Sequence, residues 1–307
     1  MLQSQQGNRE RQIATRFLSE LSHPPAAAHA GGEVLLATWN EHVLGAAWYA
    51  PQPGRTGIAG SVWLPPTLRS CAFSAEVIAQ QLMSAQQAHL GAVGCRLIQS
   101  LLPDASGPDA ARLRRAGLAH LADVRYMVSL PANWPRTKPP GCDRLDLVNC
   151  RARHQRRLAD VIVATYVDTL DCPRLTALRP VDDVLEGYRQ TGNDRADGWW
   201  IVRSDRQDIG CLLLADFPDR DQLELVYLGL VPEVRGQGWG ALLVRYGQWY
   251  ARCAARRQLV LAVDVANRPA RHLYEQAGFY AWHRRSVFIK SANVSAVTGR
   301  ESRVPVP

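Results

Sequence analysis

The chain lacks several features that would have settled its class at once, and each absence excludes something. No apolar run among its 307 residues approaches the roughly 20 apolar positions of a bilayer-spanning helix, so no membrane partner is expected. The opening stretch MLQSQQGNRERQIATRF has no apolar core followed by a cleavage site, so a signal peptide is not expected. The seven cysteines (Cys71, Cys95, Cys142, Cys150, Cys172, Cys211 and Cys253) are scattered, odd in number and without a C-x-x-C pair. Neither a zinc site nor a disulfide framework is supported, so no metal is expected and the cytoplasm is the natural compartment. Hydrophobic residues at 47% and charged residues at 21% leave an ordinary globular composition. The formal charge of +8 suits a polyanionic cofactor as well as nucleic acid. Because the arginine groups Arg112/Arg114/Arg115, Arg151/Arg153/Arg156/Arg157 and Arg252/Arg256/Arg257 come with no nucleic-acid module, a nucleic-acid partner is disfavoured.

What is present is concentrated between Leu223 and Gly240, LELVYLGLVPEVRGQGWG. An apolar strand runs to Leu230, Pro232 ends it, and Arg235, Gly238 and Gly240 follow in the spacing R-x-x-G-x-G. An amphipathic segment, ALLVRYGQWYARCAARR, starts at once. A strand, a glycine turn and a helix N-terminus make an anion cradle, since first-turn N–H groups lack intrahelical partners and the helix dipole adds positive charge there. Gly236, Gly238 and Gly240 lack a Cβ, so a phosphate can approach the backbone. A Walker A loop is excluded because no Lys follows the glycines, and the pattern is not a dinucleotide-binding turn. Downstream, a strand LVLAVDV leads to Asn267, Ala270, Tyr274, Gly278 and Phe279 in the spacing N-x-x-A-x-x-x-Y-x-x-x-G-F.

The two motifs in this order resemble the acetyl-CoA-binding core of the GNAT superfamily of N-acetyltransferases. The resemblance implies an α/β fold: a mixed, mostly antiparallel sheet flanked by helices, with a splayed pair of central strands. It implies acetyl-CoA as acyl donor, a primary amine as acceptor, and direct attack in a ternary complex. Its cofactor contacts would fall on Leu228 and Leu230 beside the thioester arm, and on Arg235, Gly236, Gln237, Gly238, Trp239, Gly240 and Ala241 around the pyrophosphate. Asn267 would orient the pantetheine arm or cap the following helix. Glu224 would be the general base, and Tyr274 the general acid for the leaving thiolate. Strand alternation predicts that Glu224 shares a face with Val226, Leu228 and Leu230. His272 and His283 stand alone and read as surface or packing residues.

The chain also repeats itself. Pro108–Leu118, PDAARLRRAGL, lies over Pro269–Phe279, PARHLYEQAGF, without a gap, and GIAGSVWLPPTLRS matches ELVYLGLVPEVRG with Leu64 on Leu230 and Pro66 on Pro232. Ser70, Ala72 and Ser74 then stand for the three glycines, Ile58 for Glu224, Ser106 for Asn267 and Leu113 for Tyr274. The expectation is two tandem GNAT-like domains: a degenerate one over 1–138, a catalytic one over 139–291, and a disordered tail over 292–307. The arrangement is similar to that of mycothiol synthase-type proteins in architecture only. A helix is expected over 10–21, strands at EVLLATWN and HVLGAAWYAP joined through Asn40-Glu41, and a helix over 154–170. Two readings stay open, an N-acyltransferase and a non-catalytic acyl-CoA-binding module. Both a monomer and a homodimer fit.

Overall fold

The computed structural model describes residues 32–40, 42–66, 74–150, 154–192 and 198–291. The helix expected over 10–21, the tail over 292–307, and Glu41, Ser70 and Ala72 lie outside the described residues. The chain divides into two compact units. One holds the chain up to Leu101, Ser106–His120 and the residues from Phe288; the other holds Leu102–Ala105 and Leu121–Val287. Among the described residues no helix is long and apolar enough to cross a membrane.

In the first unit, β1 (Glu33–Trp39), β2 (His42–Gln52), β3 (Thr56–Trp63) and β4 (Leu97–Leu102) stand in that order. The β1–β2 turn is tight, with Trp39 opposite His42 and Asn40 at φ 44°. Helix α1 (Ala75–Ala92) buries Ile78, Ala79, Leu82, Met83, Gln86 and Leu90, a helical-period stripe. Helix α2 (Gly107–Arg115) follows β4.

In the second unit the strand order is β6 (Asp146–Asn149), β7 (Trp199–Ser204), β8 (Gln207–Phe217), β9 (Gln222–Leu230), β10 (Gln258–Asp264), β5 (Ala119–Ser129) and β11 (Tyr280–Ser291), read in reverse along the sheet. Strand β5 closes the first repeat by sequence. From Leu121 onward it belongs to the second unit, antiparallel to β10 with Val128 opposite Val260 and Tyr126 opposite Ala262. The division by contacts therefore runs ahead of the 138/139 division read from the repeats.

Helices α3 (Gln155–Thr165), α4 (Pro173–Thr176) and α5 (Val181–Arg189) precede β7. The segment expected to be helical over 154–170 stops at Thr165, and Asp168 takes the left-handed region at φ 51°. Helix α6 (Trp239–Cys253) buries Trp239, Leu243, Gly247 and Ala251, each four residues from the last, with Val244 and Gln248 beside them. This stripe covers Leu212, Leu214, Leu223 and Leu225 of the sheet. Helix α7 (Arg268–Gln276) begins at the Asn267 cap.

Both units are mixed sheets flanked by helices, mostly antiparallel with one parallel central pair, and the pair is splayed in each. Strands β9 and β10 pair over three rungs only, Gln222↔Gln258, Leu223↔Leu259 and Glu224↔Val260. Strands β3 and β4 do the same through Thr56↔Leu97, Gly57↔Ile98 and Ile58↔Gln99. The last rung is carried by Glu224 in one unit and Ile58 in the other, the correspondence that the sequence repeat predicts. A one-residue bulge recurs as well. It falls on β3 between the Ala47↔Val62 and Tyr49↔Ala59 pairs, and on β9 between Leu213↔Tyr227 and Leu214↔Leu225.

The bulge corrects the expected face of Glu224. With Val226 as the extra residue, the side-chain parity of β9 reverses. Glu224, opposite Ala215, shares its face with Tyr227, opposite Leu213. Leu228, opposite Leu212, lies on the other face. Tyr227 accordingly packs with Leu158, Ile162 and Leu185 of α3 and α5, whereas Leu228 packs on the core under α6.

Gly229 fits this geometry tightly. A Cβ there would stand 2.6 Å from Thr165 Oγ1 and 2.8 Å from a Tyr227 ring carbon. Gly229→Ala is expected to cost about 1–3 kcal/mol by overpacking α3 on β9. A lowered denaturant midpoint with an unchanged slope would check it.

Candidate active site

Beyond Glu224 and Val260 the facing edges of β9 and β10 have no ladder partner. Backbone groups from Leu225 to Leu230 therefore line an open wedge, and Leu228 and Leu230 are half-buried on it. The Leu230 carbonyl is taken by Arg235 Nε at 3.0 Å.

Glu224 sits at the wedge's apex. Its Oε2 is buried and has no hydrogen-bond partner. Burial pushes the carboxyl up to about 7, with Arg220 pulling weakly the other way. A carboxyl at that value is half-ionised near neutrality, the condition a general base requires.

The wedge leads to the glycine turn. Gly236 and Gly238 take φ of +76° and +87°, and a Cβ on either would meet nothing within 4 Å, so both are exposed over open space. Gly238 is the N-cap of α6, and Leu242 N–H is the first to bond back, to the Gly238 carbonyl at 3.1 Å. Ahead of it, among the described residues, no backbone acceptor takes the N–H groups of Gly236, Gln237, Gly238, Trp239, Gly240 or Ala241. Unpaired donors at a helix N-terminus are the arrangement that favours an anion.

Gly240 has a different reason for being glycine. A Cβ there would stand 2.9 Å from Leu273 Cδ1, so it lets α6 approach α7. The Trp239 side chain is core, packed with Leu145, Val202, Ile209 and Leu243 under the Arg144 guanidinium at 4.8 Å. The Gln237 side chain donates to the Glu233 carbonyl at 3.0 Å.

Arg235 is engaged by the protein itself. Besides Leu230, its Nη1 donates to the Asp168 carbonyl at 3.1 Å, and Nη2 to the Thr165 and Val167 carbonyls at 3.0 and 2.8 Å. It anchors the loop after α3, whose last carbonyls have no helical partner.

The same loop is tied to the other side of the wedge. Asp264 N–H donates to Asp171 Oδ1 at 3.0 Å, and Cys172 N–H to Asp264 Oδ2 at 3.1 Å. Asn267 Oδ1 accepts from Ala270 N at 3.2 Å, the capping role, while its side chain also bonds Asp171. Tyr274 lies one face along, 7% exposed, its ring 5.7 Å from Phe279. Among the described residues no group bonds its hydroxyl, and burial raises its pKa, so the phenol keeps its proton.

The first unit keeps the splay without the chemistry. Ile58 is 2% exposed and clusters with Trp48 and Ala50. A Cβ on Gly60, at the bulge, would stand 2.0 Å from the Trp48 indole. An indole thus covers the apex where Glu224 stands in the second unit, and the position of Tyr274 is held by the buried Leu113.

Two residues near Glu224 were not singled out from sequence. These are Tyr126 of β5 and Ala262 of β10, which face each other across the ladder on the apex side. No spacing rule says that β5 inserts beside β10. His283, read as a lone packing residue, has its ring 6.0 Å from Tyr126.

Residues 164–279 match the model of the Acetyltransferase (GNAT) family. N-acetyltransferase 8 of Rattus norvegicus is 33% identical over 101 residues, 32% of this chain and 44% of that protein, so the match spans less than half of that relative. A GCN5-related N-acetyltransferase from Sphaerobacter thermophilus superposes with a TM-score of 0.57 at 15% identity, covering 86% of this chain and 82% of that one. The GCN5-related glucosamine N-acetyltransferase region of a fungal multi-domain GH3 beta-N-acetylglucosaminidase gives a TM-score of 0.57 at 12% identity, over 84% of this chain and 33% of that one. At these identities the structural likeness establishes the fold alone.

Two substitutions test the cradle and its anchor. Gly238→Glu puts a carboxylate and a strained φ at the N-terminus of α6, and calorimetric titration should find acyl-CoA affinity reduced at least a hundredfold. Arg235→Met strips donors from four carbonyls and should lower stability by about 2 kcal/mol, read as a drop in Tm.

Proposed function

From the premise that residues 164–279 form a GNAT-family domain, we propose that the chain is an acyl-CoA-dependent N-acyltransferase that moves acetyl from acetyl-CoA to a primary amine. The observation that carries this reading is the three-rung parallel pair that opens at a buried carboxylate, Glu224, whose Oε2 has no hydrogen-bond partner among the described residues. The residues present fit acetyl-CoA. The cradle at Gly236–Ala241 offers unpaired N–H groups over open space, and the unladdered edge of β9 offers more along Leu225–Leu230. When bound, acetyl-CoA supplies an activated thioester carbonyl.

The chain's own groups then have distinct tasks. The cradle N–H groups hold phosphate oxygens, and Trp239 and Gly240 keep the α6 N-terminus in place by packing. The free N–H groups near Leu228 and Leu230 hold the pantetheine arm and the carbonyl oxygen, where charge builds during attack. Glu224 takes the proton that the ammonium must lose, directly or through water. Tyr274 holds a proton for the departing sulfur. Arg235, Asp264 and Asn267 hold the loop after α3 and the start of α7. The likeness to N-acetyltransferase 8 supports transfer to an amine.

The pH dependence follows from Glu224. Above about 7 the group is ionised and competent, so kcat/KM should rise with pH on the acid side and level off as this group finishes titrating. Glu224→Gln should remove that limb and lower turnover by about 10²-fold, measured by free-thiol release. The same group carries a stability signature. Its folded pKa lies above the unfolded value near 4.5, so the folded state binds the proton more tightly. That stabilisation is complete below 4.5 and is lost as pH rises through about 7. Glu224→Gln should therefore unfold at higher temperature than the parent at pH 8, the two converging toward pH 4.5. Tyr274→Phe should lower kcat while leaving acetyl-CoA affinity unchanged. A change confined to affinity would refute the acid role.

A further inference from the structure

We propose that Tyr126, His283 and Trp282 form the acceptor wall of this site, and that the acceptor it selects is a primary amine on an apolar or aromatic body. The proposal rests on the acyl-transfer reading above and deepens it by naming the substrate class.

The placement comes from strand register. Glu224 stands opposite Val260, Val260 opposite Val128, and Ala262 opposite Tyr126. Alternation puts Glu224, Val260, Ala262, Val128 and Tyr126 on one face of the sheet. Ala262 is exposed although its strand lies inside the sheet. It gives the face a floor one methyl high, one rung from the base. Tyr126 rises beside it.

Three rings gather there. Tyr126 lies 5.9 Å from Trp282 and 6.0 Å from His283, and Trp282 stacks on His283 at 5.5 Å with 23° between planes. Trp282 is 59% exposed. An aromatic cluster left in solvent next to a catalytic carboxylate is the surface that a ligand's apolar body would cover.

Burial raises the pKa of the Tyr126 phenol, with Arg285 pulling it down and Glu224 pushing it up. Burial, with Arg285, holds the His283 imidazole toward its neutral form. An ammonium is complementary to the Glu224 carboxylate, and the exposed rings suit an apolar or aromatic body. An arylalkylamine offers both, and a polyamine offers no such body. Strand β5 is the last strand of the first repeat, so that repeat supplies Tyr126 to the working site despite having lost its own chemistry.

The test uses the full chain, saturating acetyl-CoA, and initial rates with 2-phenylethylamine, hexylamine and spermidine, alongside calorimetric titration of acetyl-CoA. The parent should favour 2-phenylethylamine over spermidine by at least about tenfold in kcat/KM. Trp282→Ala, a change at an exposed side chain, should raise KM for 2-phenylethylamine by about tenfold with kcat little changed. Ala262→Phe should block amine turnover while acetyl-CoA still binds. Preference for spermidine, unchanged KM values in Trp282→Ala, or no amine acetylated while acetyl-CoA binds would each overturn the acceptor class and leave the donor site standing. Failure of the parent to bind acetyl-CoA would overturn both readings.

Discussion

The proposed chemistry depends on two parallel strands that stop pairing. After the Glu224↔Val260 rung, β9 and β10 diverge and leave main-chain donors and acceptors facing a gap. Folded proteins pair nearly all such groups, and a buried unpaired one costs about 1–3 kcal/mol. An open ladder in the middle of a sheet is therefore a candidate binding surface, and its backbone donors suit an amide-bearing arm. The bulge at Val226 refines the same surface. It turns Glu224 toward the α3 and α5 side while Leu225 and Leu228 stay on the α6 core, so one strand serves both the chemistry and the packing.

A gap of this kind needs something to hold it, and the loop after α3 does so from both sides. Arg235, just beyond β9, gathers carbonyls of Thr165, Val167 and Asp168. Asp264, at the end of β10, exchanges bonds with Asp171 and Cys172. The arginine of the R-x-x-G-x-G motif and the asparagine that opens the second motif are both spent on geometry, Asn267 as cap of α7 and partner of Asp171. The glycine turn stays exposed beside them, and Tyr274 lies in the core cluster with Phe279. The two repeats share this frame down to the last rung and the bulge, yet only one is equipped. In the first, Ile58 replaces the carboxylate and Trp48 lies on Gly60 over the apex.

Much of this was legible in the residues. The strand Gln222–Leu230, the glycine turn, the cap at Asn267 and the correspondence of Ile58 with Glu224 all follow from local spacing, and local spacing survives folding. Three things were not legible. A bulge has no side-chain signature at Val226, so alternation put Glu224 on the wrong face. Helix α3 ends at Thr165, and the carbonyls there and beyond it, to Asp168, are taken by Arg235 far along the chain, a long-range contact that helical propensity does not encode. The insertion of β5 beside β10 is a long-range pairing, so nothing local marks Tyr126 as standing on the apex face. Gly240 was legible as a required glycine, and the close approach of Leu273 is a packing reason that local spacing does not show.

The most direct test of the central claim is amide hydrogen exchange over Leu225–Leu230 and Gly236–Ala241, with and without acetyl-CoA. The account predicts that both segments exchange readily in the free protein and become protected together on binding, while β3 around Ile58 and Gly60 does not change. Protection of the first unit's strand, or acetyl-CoA binding without protection of either segment, would contradict it.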